Sequence, residues 1–235
     1  MCANYRPVER GMLEAKFQVP APDSDFASDL YPERMGPLIR APREHDTWGQ
    51  RTCAVGMFGL VPHWAKDMKI ARNTYNARTE TVAEKPSFRN AWKRGQFAII
   101  PADSIFEPRY LTVDGGLDFG DEHAKQEHRI ERWEIKSADG SPLAIAAIWE
   151  YKHDGPNGMP LLSYSMLTIN ADEHPVMSQF HAPIDEKRMV VMLQSEQYDD
   201  WLNCTPKDAP DFFRPYPAES LAVRPAPKGP RTRRT

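Results

Sequence analysis

Cys2 is the residue whose position gives it the most distinctive chemistry. The chain opens Met1-Cys2-Ala3, and removal of Met1 would leave Cys2 with a free α-amine beside its thiol. Such an aminothiol attacks an aldehyde with nitrogen and then closes a five-membered ring with sulfur. An α-amine of pKa about 7.7–8.0 is roughly a quarter neutral at pH 7.4, whereas a lysine near 10.4 is neutral in about one molecule per thousand. Cys2 is therefore a candidate nucleophile, although an arbitrary residue after Met1 is the ordinary alternative.

Two further side chains are candidates for moving protons. Glu107 lies between Phe106 and Pro108, and apolar surroundings raise the pKa of a carboxyl towards neutrality, where it can act as an acid or a base. His181 follows Phe180 and leads towards a buried run, and histidine carries protons near pH 7. Each residue can equally be a surface or structural side chain, so the sequence offers them only as candidates.

Polar and aromatic residues in two other segments could hold a substrate. Asn76 can orient a nucleophile or a sugar hydroxyl, and Arg78 offers a forked cation for phosphate. Pro62 ends an apolar run, and Trp64 just beyond it could stack on a base. The alternatives are a polar surface turn around Arg78 and a core position for Trp64.

Composition is that of a soluble globular protein. The chain has 235 residues, a net charge of −3 and 40% hydrophobic residues, which suits one large domain or two small ones. Its three cysteines are too few for a disulfide framework and lack the spacing of a metal site, so we expect no metal and no cofactor. No apolar stretch reaches membrane length and no signal sequence is recognisable, so a cytoplasmic location is expected.

Charge is distributed unevenly along the chain. From Trp64 to Arg94 there are eight Lys or Arg residues against three acids, whereas from Asp114 to Asp139 there are eight acids against four bases. We call 64–94 the basic segment. It could hold phosphates even on a slightly acidic protein, but a charge run is more often solvated surface.

Short apolar runs separated by Pro and Gly predict several strands and few long helices. The expected elements are strands at Pro37–Ile39, Cys53–Trp64, Phe97–Pro101, Met166–Asn170 and Met189–Leu193, a hairpin of 133–136 with 143–150, and short helices at 87–93 and 195–202. This pattern, without regular βαβ alternation, predicts a single α+β domain with a mixed, strongly curved β-sheet. We expect this domain over 2–213, a long hairpin loop over 114–132, and a flexible, Pro-rich basic tail over 214–235.

Taken in order, these segments resemble the SOS-response-associated peptidase (SRAP) family. The matching residues are Met1-Cys2, 58–64 (FGLVPHW), 76–81 (NARTET), Phe88-Arg89, Pro101-Ala102-Asp103, Phe106-Glu107, 147–150 (AIWE), His181 and Arg188-Met189. Departures from the family pattern are Ala3 for Gly, Phe58 for Trp, Ser104 for Gly, Val190 for Pro, and a longer loop between His181 and Arg188. The resemblance covers the chain from Cys2 to about Leu202.

The resemblance implies a sensor of abasic sites in single-stranded DNA. It implies a covalent thiazolidine between Cys2 and the ring-opened sugar, with Glu107 and His181 moving protons and Asn76 positioning the reactants. For DNA contact we expect Arg78, Trp64, Pro62 and Arg89. The expected partner is thus single-stranded DNA that contains abasic sites, with no membrane and no assigned protein partner.

Two other functions remain open at this point. A cysteine peptidase would use Cys2 as nucleophile, His181 as base and Glu107 or Asn76 as the orienting group. A non-covalent single-strand binder would use the basic segment and the aromatic residues, without Cys2. Formation of a stoichiometric covalent adduct with DNA distinguishes the abasic-site crosslinker from both the peptidase and the non-covalent binder.

Overall fold

The computed structural model describes residues 2–42, 51–112 and 128–228. Three α-helices are present in these ranges: α1 (Arg10–Phe17), α2 (Arg89–Lys93) and α3 (Tyr198–Asn203). The strands are β1 (Tyr5–Pro7), β2 (Met35–Arg40), β3 (Thr52–Phe58), β4 (Asn76–Arg78), β5 (Phe97–Thr112), β6 (His128–Ser137), β7 (Leu143–Lys152), β8 (Leu161–Asn170), β9 (Arg188–Val190), β10 (Met192–Leu193) and β11 (Leu221–Pro225).

The strands form one mixed sheet that closes on itself. Strand β7 pairs with β8, β8 with β3, β3 with β2, β2 with β5, and β5 again with β7, which makes a five-stranded barrel. The β3–β8 and β4–β8 pairs are parallel, and the other pairs are antiparallel. Closure hides the edges that an open sheet would expose. The predicted α+β domain with a strongly curved mixed sheet and short helices is confirmed.

Strand β5 joins the barrel to the strands outside it. Its first half, Phe97–Ala102, pairs with β7, and its second half, Ile105–Thr112, pairs with β6. The first half is an apolar run whose side chains are buried in the core, as expected for a strand covered on both faces. The second half therefore leaves the barrel and carries Glu107 with it.

Gly59 explains the turn that follows β3. Its φ is 105°, and a Cβ at this position would collide with the backbone of Ala71. Only glycine adopts this conformation readily and permits so close an approach. The turn directs the chain from Phe58 at the end of β3 towards Pro62 and Trp64.

The sequence-based hairpin of 133–136 with 143–150 is wrong in its pairing. The turn forms, with Gly140 at a φ of 78°, but β6 and β7 pair with different halves of β5. Of the predicted hairpin loop over 114–132, residues 114–127 lie outside the described residues, and 128–132 belong to β6. Helix α1 was not predicted.

The C-terminal boundary expected at residue 213 also needs correction. Strand β11 lies within the predicted tail, and Leu221–Pro225 pair antiparallel with β6, in the register Val223 to Ile135. A short strand with two prolines near it can still form at a sheet edge, where one side of the strand needs no partner. Residues 229–235 lie outside the described residues, and their flexibility stays a prediction.

The described part of the chain contains no candidate for a membrane-spanning helix or a metal-binding cluster. None of its helices is long and apolar enough to cross a membrane. No group of three or more His, Cys, Asp or Glu side chains there is arranged to hold a metal ion.

Candidate active site

The chain's first residues are placed against the second half of β5. Strand β1 pairs antiparallel with β5, with Tyr5 opposite Ile105, and the Phe106 amide donates to the Asn4 carbonyl at 2.9 Å. An antiparallel partner runs in the opposite direction, so the residues before Tyr5 advance towards Glu107. Cys2 is buried there, 2% exposed, and its thiol donates to the Asn4 carbonyl at 3.6 Å.

Burial dominates the chemistry of the Cys2 thiol. It raises the pKa of Cys2 well above its usual value, and the neighbouring Glu107 carboxyl raises that pKa further. The thiol therefore keeps its proton at neutral pH until a base removes it. Burial also raises the pKa of Cys53 to about 12 and that of Cys204 to about 11, which makes both poor nucleophiles.

Glu107 is a buried carboxyl without an arginine or lysine partner among the described ion pairs. It is 2% exposed, and its Oε2 has no hydrogen-bond partner among the described residues. Burial raises the pKa of Glu107 to about 7, because the protein interior solvates a carboxylate poorly. Glu107 is thus poised to gain or lose a proton near physiological pH.

His181 faces Glu107 across a short gap. Its Nδ1 lies 3.6 Å from Oε2 of Glu107, and its Nε2 lies 3.2 Å from the Arg188 carbonyl. A carbonyl only accepts, so Nε2 carries the hydrogen in the neutral ring and Nδ1 is left as an acceptor. Burial lowers the pKa of His181 to about 4. At neutral pH the imidazole is therefore uncharged, and its Nδ1 faces the Glu107 carboxyl as an acceptor, just beyond hydrogen-bond distance.

The backbone holds His181 in an uncommon conformation. Its φ is 68°, a region that residues with side chains visit rarely, and its amide donates to the Pro108 carbonyl at 2.8 Å. Strain of this kind persists where the surrounding structure fixes it, often at functional sites. The hydrogen bond ties His181 to the residue that follows Glu107.

A buried arginine closes the longer loop between His181 and Arg188. The Arg188 side chain is 2% exposed, and Nη1 and Nη2 each donate to one oxygen of Glu80 at 2.8 Å. Nη1 also donates to Glu186 at 2.7 Å, and Nη2 to the Thr168 carbonyl at 2.6 Å. These hydrogen bonds of the guanidinium fix Arg188 at the start of β9, and the Arg188 carbonyl orients His181. The additional loop residues therefore do not separate His181 from Arg188.

A cavity of about 300 Å³ opens onto this cluster. The residues that line it are Tyr75, Arg78, His181, Asp185, Glu186 and Arg188. Arg78 has a half-exposed side chain whose Nη1 pairs with Oε2 of Glu186 at 2.9 Å. Burial, then the charges of Glu107 and Cys2, raise the pKa of Tyr75. The cavity thus reaches His181 of the cluster and has cations in its wall, whereas Cys2 and Glu107 are not among its lining residues.

Asn76 lies on β4 beside Tyr75 but is not joined to Cys2 by any described contact. It is 8% exposed, and its amide nitrogen donates to the Tyr75 carbonyl at 2.9 Å. Its Oδ1 is buried without a hydrogen-bond partner among the described residues. A buried acceptor in this state is free to receive a hydrogen bond from a ligand.

The other predicted DNA contacts lie outside this cavity. Trp64 is 48% exposed and lines a separate cavity of about 360 Å³ with Lys66 and Lys69, whereas Pro62 is buried. Arg89 is exposed at the start of α2. All eight cations of the basic segment are exposed, which suits contact with phosphates.

Sequence reasoning assigned no role at the site to four residues that shape it. Tyr75 lies directly before a matched motif, which was the one available signal. Asn4 and Arg132 gave no signal, because their contact joins residues 128 positions apart. The Glu80 side chain was inside a matched motif, but its pairing with Arg188 is a tertiary contact.

The chain belongs to a recognised class of protein. Residues 1–229 match the SOS response associated peptidase (SRAP) family. The chain therefore belongs to the SRAP family, as its motifs suggested.

Curated relatives carry names that refer to abasic sites. The chain is 36% identical over 169 residues to Abasic site processing protein YoqW of Bacillus subtilis (strain 168), covering 70% of this chain and 64% of the relative. It is 29% identical over 168 residues to Abasic site processing protein HMCES of Mus musculus, covering 62% and 43% respectively. The chain thus matches less than two thirds of the length of these relatives.

A solved structure from Bordetella bronchiseptica has the same fold. It is 34% identical, with a TM-score of 0.79, and the match covers 96% of this chain and 99% of the other. A protein from Bacteroides thetaiotaomicron, 20% identical with a TM-score of 0.71, supports the fold alone.

Replacing Glu107 should change how stability depends on pH. The folded pKa of about 7 exceeds the ordinary value, so between about pH 4.5 and 7 the folded protein holds a proton that the unfolded chain has released. Stability from this group is therefore lost as pH rises through that window. We expect Glu107→Gln to stabilise the fold above pH 7 by up to about 3 kcal/mol and to give no such gain near pH 4.

The measurement is the free energy of unfolding in denaturant at several pH values. Glu14→Gln, an exposed carboxyl on α1, is the control and should leave the pH dependence unchanged. Parallel curves for Glu107→Gln and the wild type would contradict the raised pKa.

Proposed function

We propose that this protein processes abasic sites in single-stranded DNA and, once Met1 is removed, forms a covalent thiazolidine crosslink through Cys2. The observation that carries the proposal is the burial of Cys2 against Glu107, with His181 Nδ1 3.6 Å from that carboxyl. The names of the YoqW and HMCES relatives support abasic DNA as the substrate class. The cations in and around the cavity support a phosphate-bearing substrate.

The proposed reaction begins with the amine. The neutral α-amine of Cys2 attacks the aldehyde carbon of the ring-opened sugar, and a proton passes from nitrogen to oxygen to give a hemiaminal. Protonated Glu107 donates its proton to the hydroxyl, water departs, and an iminium remains. Burial keeps the thiol protonated, so sulfur follows nitrogen in this sequence.

Ring closure returns the proton to Glu107. The carboxylate takes the thiol proton, and the sulfur bonds to the iminium carbon. The net change joins aldehyde and aminothiol with loss of one water, and Glu107 ends as it began. His181 Nδ1 lies 3.6 Å from Oε2 of Glu107; as this gap closes to hydrogen-bond distance in the reacting complex, Nδ1 accepts from the protonated carboxyl and orients that proton.

The cysteine peptidase alternative fits the geometry less well. Catalytic cysteines are activated by a lowered pKa, whereas burial raises the pKa of Cys2. The His181 ring places Nδ1 near Glu107 and Nε2 near the Arg188 carbonyl, which is the geometry of a partner for the carboxyl. A non-covalent binder, in turn, would have no use for a buried thiol beside a carboxyl.

Crosslinking should require the thiol and the free amine of Cys2. Incubation with single-stranded DNA that carries one abasic site should give a shifted band that survives denaturation. Cys2→Ala should give only a labile imine adduct, and protein that retains Met1 should give little adduct of either kind. Cys204→Ala, the matched control for removing a thiol, should crosslink normally. A heat-stable adduct in undiminished yield from Cys2→Ala would overturn the proposal.

Glu107 should control the chemical step in both directions. We expect Glu107→Gln to slow adduct formation, and release of the sugar from a preformed adduct, by about 10²–10⁴-fold, as general acid–base catalysis typically contributes. Since the pKa of Glu107 is about 7 and the α-amine becomes neutral at about pH 7.7–8.0, the wild-type rate should reach a maximum between these values and fall at higher pH, where the acid is lost. Glu107→Gln should lack this limb.

Single-turnover rates at saturating DNA, from pH 5.5 to 8.5, provide the measurement. His181→Ala should also slow the chemistry while leaving DNA binding nearly intact, because neutral His attracts phosphate weakly. If folded Glu107→Gln and His181→Ala both matched the wild type in rate and pH profile, neither residue would take part in the chemical step.

Arg78 should contribute to binding rather than to chemistry. We expect Arg78→Ala to weaken binding of intact and abasic strands alike by about 1–3 kcal/mol and to reduce the salt slope by about one. Lys207→Ala, an exposed cation outside the basic segment, is the control. Unchanged affinity and salt slope, measured by fluorescence anisotropy, would show that Arg78 does not contact DNA and only forms its surface ion pair with Glu186.

A further inference from the structure

Arg132 makes a set of contacts that converge on the chain's first residues. It lies on β6, far from Cys2 in sequence, and its side chain is 21% exposed. Its Nη2 and Nε donate to Oδ1 of Asn4 at 2.7 and 3.0 Å. A forked donor on one amide oxygen fixes that side chain in place and direction.

Asn4 connects Arg132 to the Cys2 thiol and to the strand that carries Glu107. Its carbonyl accepts from the Cys2 thiol at 3.6 Å and from the Phe106 amide at 2.9 Å. Its side-chain nitrogen donates to Asp29 at 2.6 Å and to the Leu30 carbonyl at 3.1 Å. A shift of Asn4 would therefore move Cys2 relative to the strand that carries Glu107.

Arg132 also contacts the residue that precedes Glu107 on β5. Its guanidinium carbon lies 3.4 Å from the centre of the Phe106 ring, a cation–π contact with the residue before Glu107. One side chain thus contacts the segment of the thiol and the segment of the carboxyl.

The C-terminal segment holds Arg132 in turn. Its Nη1 donates to the Ala226 carbonyl at 3.1 Å, and the Ala226 amide donates to the Arg132 carbonyl at 2.9 Å. Lys228 lies 4.6 Å from the centre of the Tyr31 ring, whose hydroxyl donates to Oδ1 of Asn4 at 3.1 Å. The residues just after β11 are therefore linked to the chain's first residues.

We propose that Arg132, held by the segment after β11, is a positioning residue that sets the Cys2 thiol and amine against Glu107 by acting through Asn4. The inference rests on the proposed crosslinking function and adds the group that aligns its nucleophile. Misalignment by about 1 Å can cost about 10²-fold in rate, so this contact bears on chemistry as well as stability.

The first test separates binding from the chemical step. For Arg132→Ala we expect the single-turnover crosslinking rate at saturating abasic DNA to fall about 10²-fold, with the half-saturating DNA concentration changed less than about threefold. Arg132→Lys, which keeps the charge and can make one bond to Asn4, should recover part of the rate. Arg129→Ala is the matched control, since Arg129 is on the same strand and pairs with Glu131.

A double-mutant cycle tests the route through Asn4. If Arg132 acts through Asn4, then Asn4→Ala combined with Arg132→Ala should be no slower than the slower single variant, because interacting residues are not additive. If the loss of crosslinking rate in the double variant equalled the product of the losses in the two single variants, the proposed route through Asn4 would be overturned. Equal loss of rate for Arg132→Ala and Arg129→Ala would show a charge effect and overturn the positioning role.

Thiol accessibility gives a readout that does not depend on crosslinking. We expect Arg132→Ala to raise the alkylation rate of Cys2 by about tenfold or more, as local opening exposes it, while Cys53 and Cys204 keep their rates. If the wild type forms no crosslink, the proposed function fails, yet this alkylation result still tests the contact. If the wild type crosslinks and folded Arg132→Ala matches it in rate and alkylation, the positioning inference alone fails.

Discussion

The antiparallel pairing of β1 with β5 is the constraint on which the site depends. Without it, the residues at the start of the chain would be a flexible end, and Cys2 would meet Glu107 only by chance. The pairing sets Tyr5 opposite Ile105 and so leads Cys2 to the carboxyl two residues further along β5. The strand β5 itself is fixed by the closed barrel on one side and by β6 on the other, so a rigid core positions a chain end.

Burial, with no arginine or lysine paired to Glu107 among the described residues, gives the cluster its proton chemistry. Desolvation raises the pKa of Glu107 to about 7 and lowers that of His181 to about 4, so both groups favour their neutral forms. A carboxyl and an imidazole in contact would otherwise form an ion pair near neutrality. The same desolvation keeps the Cys2 thiol protonated, which favours attack by nitrogen before sulfur. The nearby Arg188 forms ion pairs with Glu80 and Glu186, which neutralise its charge.

Local patterns predicted the strands well and their pairing poorly. Apolar runs indicated β3, β5 and β8, because a buried strand is recognisable from its own apolar side chains. The pairing of β6 with β5 and β11 depends on distant segments, so the Asp-Gly turn alone suggested the wrong partner for β7. Motif order predicted Cys2, Glu107 and His181 as candidates, and the structure brings them together. The contact of Arg132 with Asn4 and the docking of β11 have no local signature, since each depends on the closed fold.

The central claim is that the protein joins abasic DNA through both the nitrogen and the sulfur of Cys2. Its most direct test is the intact mass of the denatured adduct, before and after treatment with borohydride and with a thiol-alkylating reagent. The account predicts the mass of protein lacking Met1 plus abasic DNA minus one water, with no added hydrogens and no alkylation at Cys2. An adduct that gains two hydrogens on reduction and leaves Cys2 open to alkylation would be a simple imine, and it would contradict the account.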